Sequence, residues 1–186
     1  MKKSIIVGLI VLVSLLFACG TKGRNNSSLS DAAIVQLGDS LSRIAQQTLL
    51  QNIGQAMKNG GPVNAVDFCN IHVSSIMDSL SKEHNVTFGR LARKNRNQKN
   101  AMTMEESSLL RPLEKGLKNN TLVNLGQKRV YYKAIRIEMP ACLQCHGTKE
   151  EISPETLSII RKKYPADRAT NFRMGDYRGT WKLIFE

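Results

Sequence analysis

The stretch KRVYYKAIRIEMPACLQCHG, residues 128–147, joins two different signals. Its first half is rich in β-branched and aromatic residues, a composition typical of β-strands. Its second half contains Cys142, Cys145 and His146 in the spacing CxxCH, which is the attachment motif of c-type haem. Because a predicted strand leads directly into this motif, the sequence favours a mixed fold over a purely helical cytochrome bundle.

Further strands are predicted on both sides of this stretch. TLVNLG, residues 121–126, precedes it, and residues 124–127 are a plausible turn between the two strands. Near the C-terminus, apolar and polar residues alternate around Trp181, Leu183 and Phe185, which indicates a strand with one buried face. Val86 and Phe88 indicate another strand.

The chain ahead of the strands is predicted to be helical. Ser30 or Asp31 could cap a long helix, which NGGP at residues 59–62 would end. A second helix carries Cys69 in one apolar stripe, so the thiol is expected to point inward. The stripe comprises Val66, Cys69, Val73, Ile76 and Leu80. Shorter helices are predicted after the capping-box residue Thr103 and after Ser153.

The N-terminus has the pattern of a bacterial export signal. Two lysines precede an apolar run that is shorter than the ~20 residues of a membrane-spanning helix. LLFACG, residues 15–20, resembles a lipobox, although Phe17 is bulkier than usual there, and an uncleaved anchor or ordinary secretion are the alternatives. We therefore predict a lipoprotein-type signal peptide over residues 1–18, a flexible tether over residues 19–30 and a folded domain over residues 31–186.

The predicted location follows from this N-terminus and from the charge. The protein is expected on the periplasmic side of a bacterial membrane, held by a lipid on Cys19. Its formal net charge of +12 suits anionic lipid headgroups or haem propionates. Nucleic acid is not an expected partner, because the cationic residues are dispersed and the chain is exported.

The cysteines can each be assigned a role except one. Cys19 is assigned to lipid, and Cys142 and Cys145 to the thioether bonds of one covalent haem, which leaves Cys69 unpaired. A redox dithiol would not need His146, and a zinc site lacks a second cysteine pair.

His146 is the expected proximal ligand of the haem iron. From the residues alone, a methionine and Cys69 are equal candidates for the other face. A methionine ligand would raise the reduction potential. Most of the methionine candidates are also compatible with core packing: Met77, Met102, Met104, Met139 and Met174. His72 and His84 are weaker candidates.

Five blocks of sequence occur in this order along the chain: AVDFCN, RLARKNRNQKNA, YYKAI, CLQCHG and YPADRATNFRMGDYRG. Together they resemble the bacterial c-type haem sensor domains with a PAS-like fold. The resemblance implies an α/β (α+β) fold, with an antiparallel sheet packed by long N-terminal helices. It also implies that His146 and Cys69 are the proximal and distal ligands of the iron.

This chain departs from the family pattern at a few positions. Gln98 and Met102 stand where prolines are expected, Ala92 where Ser or Thr is common, and Asn171 where Gly is usual. The basic residues of the second block, RLARKNRNQKNA, are expected either to pair with haem propionates, through Arg93 and Arg96, or to form a solvated loop.

The function implied by the resemblance is sensing of redox state or of a diatomic gas by a single haem. We expect no output domain after residue 186, and the signal is therefore expected to pass to a signalling or redox partner protein. A periplasmic electron-transfer cytochrome is the alternative. No enzymatic activity is expected, because a distal thiolate would block peroxide and no distal acid–base pair is evident beyond His72.

Overall fold

The computed structural model describes residues 29–186. The predicted signal peptide (residues 1–18) and residues 19–28 of the predicted tether lie outside the described residues. Among residues 29–186, no helix combines the length and the apolarity that crossing a membrane requires.

Helix α1, Asp31–His84, consists of two arms. Ser30 caps the first arm, and its side chain accepts a hydrogen bond from the Ala33 amide at 3.2 Å. Gly60 and Gly61 leave the helical conformation, and Gly61 adopts φ 67°, a left-handed value that glycine tolerates best. The prediction that NGGP separates two helices is therefore confirmed, with arms over residues 31–59 and 62–84.

The four strands form one antiparallel sheet in the order β1-β4-β3-β2. Their bounds are Thr87–Leu91 for β1, Asn120–Leu125 for β2, Lys128–Arg136 for β3 and Tyr177–Phe185 for β4. The turn predicted between β2 and β3 is present, with Gly126 at φ 61°. The C-terminal strand lies in the middle of the sheet, paired with β1 on one side and with β3 on the other.

The two arms of α1 pack on one face of this sheet. Apolar side chains of both arms meet one face of the strands in the main core, which includes Ile34, Leu41, Leu49, Val73, Met77, Tyr131, Trp181 and Leu183. A second cluster on the opposite face joins Val130 and Tyr132 to Leu110 and Leu113. The prediction of an α+β fold with an antiparallel sheet packed by long N-terminal helices is confirmed.

Beside the 3-10 helix Gln98–Asn100, four short α-helices complete the fold. They are α2 (Met104–Leu109), α3 (Arg111–Glu114), α4 (Pro140–His146) and α5 (Pro154–Lys163). The capping box at Thr103 and the helix start at Ser153 are both as predicted. Both α4 and α5 contact α1. The CxxCH segment, which forms most of α4, therefore lies beside the helix that carries Cys69.

Candidate functional site

Helix α4 presents the residues of the CxxCH motif. Met139 precedes the helix and Pro140 occupies its first turn, where a missing amide hydrogen costs nothing. Cys142 packs against the apolar cluster of Ile137 and Phe172, whereas Cys145 packs against the cluster that contains Val66 on α1. Both are half-buried free thiols, and burial raises the pKa of Cys145 to about 11.

The imidazole of His146 is held in one orientation. Its Nδ1 lies 2.7 Å from the carbonyl oxygen of Ala169. Because a carbonyl only accepts hydrogen bonds, Nδ1 carries the proton and Nε2 keeps its lone pair. Burial, followed by the charges of Arg178 and Arg96, holds the pKa of His146 well below its usual range. The ring is therefore neutral, which is the form that binds a metal.

Cys69 lies on the second arm of α1, half-buried against the main core. Burial raises the pKa of its thiol, and the positive charges of Arg90, Arg96 and Arg178 oppose that shift. The same three guanidinium groups act on the pKa of His146. The fold therefore brings Cys69 and His146, from elements far apart in the sequence, into one electrostatic environment.

Arg96 ties the segment after α5 to the CxxCH helix. Its guanidinium group donates to both carboxylate oxygens of Asp167, at 3.1 and 3.3 Å, and to the carbonyl oxygens of Cys145 at 2.6 Å and Ala169 at 3.3 Å. The side chains of Arg96 and Asp167 are 10% and 8% exposed. Arg96 thus also donates to the Ala169 carbonyl oxygen that accepts the hydrogen bond from His146 Nδ1.

The basic stretch is therefore only partly a solvated loop. Arg93 is exposed and pairs with Glu114 at 3.0 Å, as a surface residue would. Arg96, three residues later, is largely buried, with 10% of its side chain exposed, and it links separate segments of the chain. The interpretation of both arginines as propionate partners is weakened, because each already has a carboxylate partner within the chain.

Arg90 on β1 and Arg178 on β4 lack the carboxylate partners that Arg93 and Arg96 have. Neither forms an ion pair among residues 29–186. The Nε atom of Arg178 is buried without a hydrogen-bond partner. Burial, followed by the charges of Arg96 and Arg90, lowers the pKa of Arg178 to about 9.

The donor set of this site fits a haem c. It offers two thiols at the required spacing, a neutral imidazole with a free Nε2, a further thiol in Cys69, and an unsatisfied N–H of Arg178 that a carboxylate can accept from.

The other candidate ligands lie elsewhere. His72 is exposed and its ring stacks on Phe68, with centroids 4.9 Å apart. His84 ends the second arm and lies against Phe88. Met102 packs into the cluster on the opposite face of the sheet, and Met77 packs into the main core. The remaining methionine candidates are 40% exposed or more: Met104, Met139 and Met174.

Reasoning from sequence missed several residues of this site. Asp167 and Ala169 lie in the block that begins at Tyr164, and Arg90 and Arg178 are arginines inside strand segments. An arginine within an apolar strand is an unusual choice, and this was the available signal. Asn171, which replaces the usual glycine, adopts φ 58°, a conformation that asparagine tolerates.

Comparisons with known proteins agree with this fold. The structure is similar to the crystal structure of the cyanobacterial haem-protein Tll0287, with 23% sequence identity and a TM-score of 0.60. The match covers 81% of this chain and 94% of that chain. No curated protein matches this chain. The model of the Tll0287-like family matches residues 25–185, which is most of the chain. The family resemblance inferred from the five sequence blocks is thereby confirmed, and the chain belongs to the Tll0287-like family.

Proposed function

We propose that this chain is an exported protein that binds one haem c and senses redox state or a diatomic gas. In this proposal Cys142 and Cys145 form the thioether bonds, and His146 and Cys69 are the axial ligands. The observation that carries it is that Cys145 of the CxxCH helix packs against Val66, one helical turn before Cys69 on α1, so the motif lies beside the arm that carries Cys69. That a protein of similar fold is a haem-protein adds support.

The two proposed axial ligands, His146 and Cys69, are held in different ways. His146 is anchored by the Ala169 carbonyl, which Arg96 also holds. Cys69 is held by apolar packing on α1. A bound haem would supply an iron atom that changes oxidation state and can accept a gas at a free axial position. As a thiolate, Cys69 would donate charge and lower the reduction potential relative to a methionine ligand.

The proposed cellular setting comes from the N-terminal sequence. The export signal and the lipobox-like segment support a lipid on Cys19 and a place on the periplasmic side of a bacterial membrane. A change at the haem would then reach a signalling or redox partner through a protein contact. No enzymatic role is proposed.

The test is spectroscopic and uses holoprotein matured in the periplasm. Optical and low-temperature EPR spectra are recorded for the wild type, Cys69→Ala and the control His72→Ala. The control removes an exposed potential ligand from the same arm of α1. We expect a low-spin His/thiolate signal in the wild type and the control, and its loss in Cys69→Ala. An unchanged Cys69→Ala spectrum would show that Cys69 is only a core residue.

A second measurement separates a sensor from an electron carrier. Reduced wild-type protein is exposed to carbon monoxide and nitric oxide while its absorption spectrum is followed. A sensor is expected to bind at least one of these gases or to exchange a ligand on reduction. An unreactive, six-coordinate iron in both oxidation states would instead identify a periplasmic electron-transfer cytochrome.

A further inference from the structure

Two arginines beside the candidate ligands have no anionic partner among residues 29–186. Arg90 and Arg178 form no ion pair there, whereas Arg96, in the same cluster, is paired with Asp167 at 3.1 Å. The Nε atom of Arg178 is buried and has no hydrogen-bond partner. Its Nη1 donates one long hydrogen bond, of 3.3 Å, to the carbonyl oxygen of Lys94. A donor left in this state is rare in folded proteins and calls for a specific partner.

A β-bulge places the Arg178 side chain on the face of the sheet that packs against α1. On β4, Gly179 and Tyr177 pair with consecutive residues of β3, so Arg178 is an extra residue between them. Side chains alternate along a strand, and the extra residue reverses that alternation. Tyr177 accordingly packs in the same cluster as Ile184, on the face away from α1. Arg178 is thereby turned to the face that carries Trp181, which packs against α1.

Arg90, on the neighbouring strand β1, faces the same side of the sheet as Trp181. It lies directly across from Trp181 in the β1–β4 pairing, and its Cζ is 6.0 Å from the centroid of that ring. Both arginines therefore face the α1 side of the sheet. Each is close enough to the Cys69 thiol to act on it electrostatically.

The charges in this cluster are unbalanced. Three guanidinium groups, from Arg90, Arg96 and Arg178, face one carboxylate, that of Asp167. Two positive charges thus have no counterpart among the described residues, and holding an uncompensated charge in a partly buried place is costly. A haem carries two propionate carboxylates, which is the number of anions that the cluster lacks.

We propose that Arg90 and Arg178 bind the two propionate carboxylates of the haem. The inference rests on the proposed function, since it assumes that haem is bound beside Cys69 and His146. Charge-assisted hydrogen bonds from a planar guanidinium group to a carboxylate are strong and directional. The bulge at Arg178 is explained by the same role, because without it the side chain would point to the other face of the sheet.

The test measures the propionates themselves, by resonance Raman spectroscopy of periplasmically matured holoprotein. A propionate bending mode shifts to lower frequency when the carboxylate loses its hydrogen-bond donors. We compare Arg90→Gln, Arg178→Gln and the double variant with wild type. Arg93→Gln is the matched control, because it removes an exposed arginine that is paired with Glu114. Each single variant is expected to shift one bending mode, the double variant both, and the control neither.

Several outcomes overturn the inference. If a double variant still carries haem and its propionate bending modes are unchanged, the inference is wrong but the proposed function stands. Loss of the low-spin His/thiolate EPR signal with unchanged bending modes would show that the guanidinium groups serve the Cys69 thiolate instead. Wild-type protein without haem would refute the proposed function and this inference together. If the Gln variants do not fold, the comparison is made with Arg90→Lys and Arg178→Lys, whose point charge should shift the modes by less.

Discussion

Replacing Arg96 by alanine is expected to lower the free energy of unfolding by about 3–5 kcal/mol. The magnitude follows from what the substitution leaves behind. Asp167 is only 8% exposed and would lose its guanidinium partner. The carbonyl oxygens of Cys145 and Ala169, at 2.6 and 3.3 Å from the guanidinium group, would lose a donor as well. Removing one member of a buried pair is much more costly than removing both.

Urea unfolding followed by circular dichroism measures this cost, with Arg93→Ala as the control. The Arg93–Glu114 pair has nearly the same length, 3.0 Å, but its side chains are 47% and 37% exposed. Its loss is expected to cost about 0–1 kcal/mol. A double variant, Arg96→Ala with Asp167→Ala, should cost less than the sum of its two single variants. Equal costs for Arg96→Ala and Arg93→Ala would refute the argument that burial makes this pair important.

Two other predictions concern the contact of α1 with the sheet. Gly38→Ala should lower the free energy of unfolding by about 1–3 kcal/mol, because the new Cβ would lie 2.5 Å from Cγ of the buried Tyr131 ring. Gly54→Ala is the control: its new Cβ meets nothing within 4 Å, so the free energy of unfolding should rise by about 0.5–1 kcal/mol. An unchanged free energy of unfolding for Gly38→Ala, measured by urea unfolding, would contradict the close packing against Tyr131. Burial raises the pKa of Asp39, but hydrogen bonds from Lys133 and Tyr131 outweigh it, so the folded pKa lies below the unfolded one. The resulting stability is complete above the unfolded pKa and is lost as the pH falls through the folded pKa. Asp39→Asn should therefore flatten the acid side of the stability–pH curve, and an unchanged slope would contradict the network.

The secondary structure could be predicted because it depends on signals a few residues long. NGGP, the capping box at Thr103 and the pair Ser153-Pro154 each act within one helical turn. The alternation around Trp181 likewise needs only the strand itself to show which side chains are buried. Such signals are local, so a single sequence contains them in full.

The positions of the arginines around the site could not be predicted in this way. Arg96 and Asp167 are 71 residues apart in the sequence, and only the folded chain shows which of the many basic residues is buried beside a carboxylate. The direction of Arg178 depends on a bulge, and one extra residue in a strand reverses the side chains beyond it. Periodicity alone would have placed Arg178 on the opposite face, together with Thr180 and Lys182.

The two proposed axial ligands differ in how firmly the protein holds them, and this difference favours a sensor over an electron carrier. His146 is bonded to the Ala169 carbonyl, which in turn is held by Arg96, and two thioether bonds would fix the same helix to the haem. Cys69 is held by apolar packing on an arm of α1 that begins just after the break at Gly60 and Gly61. An electron carrier works best when neither ligand moves between oxidation states. A site with one rigid ligand and one ligand on a helix beyond a glycine break is better suited to releasing the second. Release of Cys69 would then act on α1, which is the element that packs across the whole sheet.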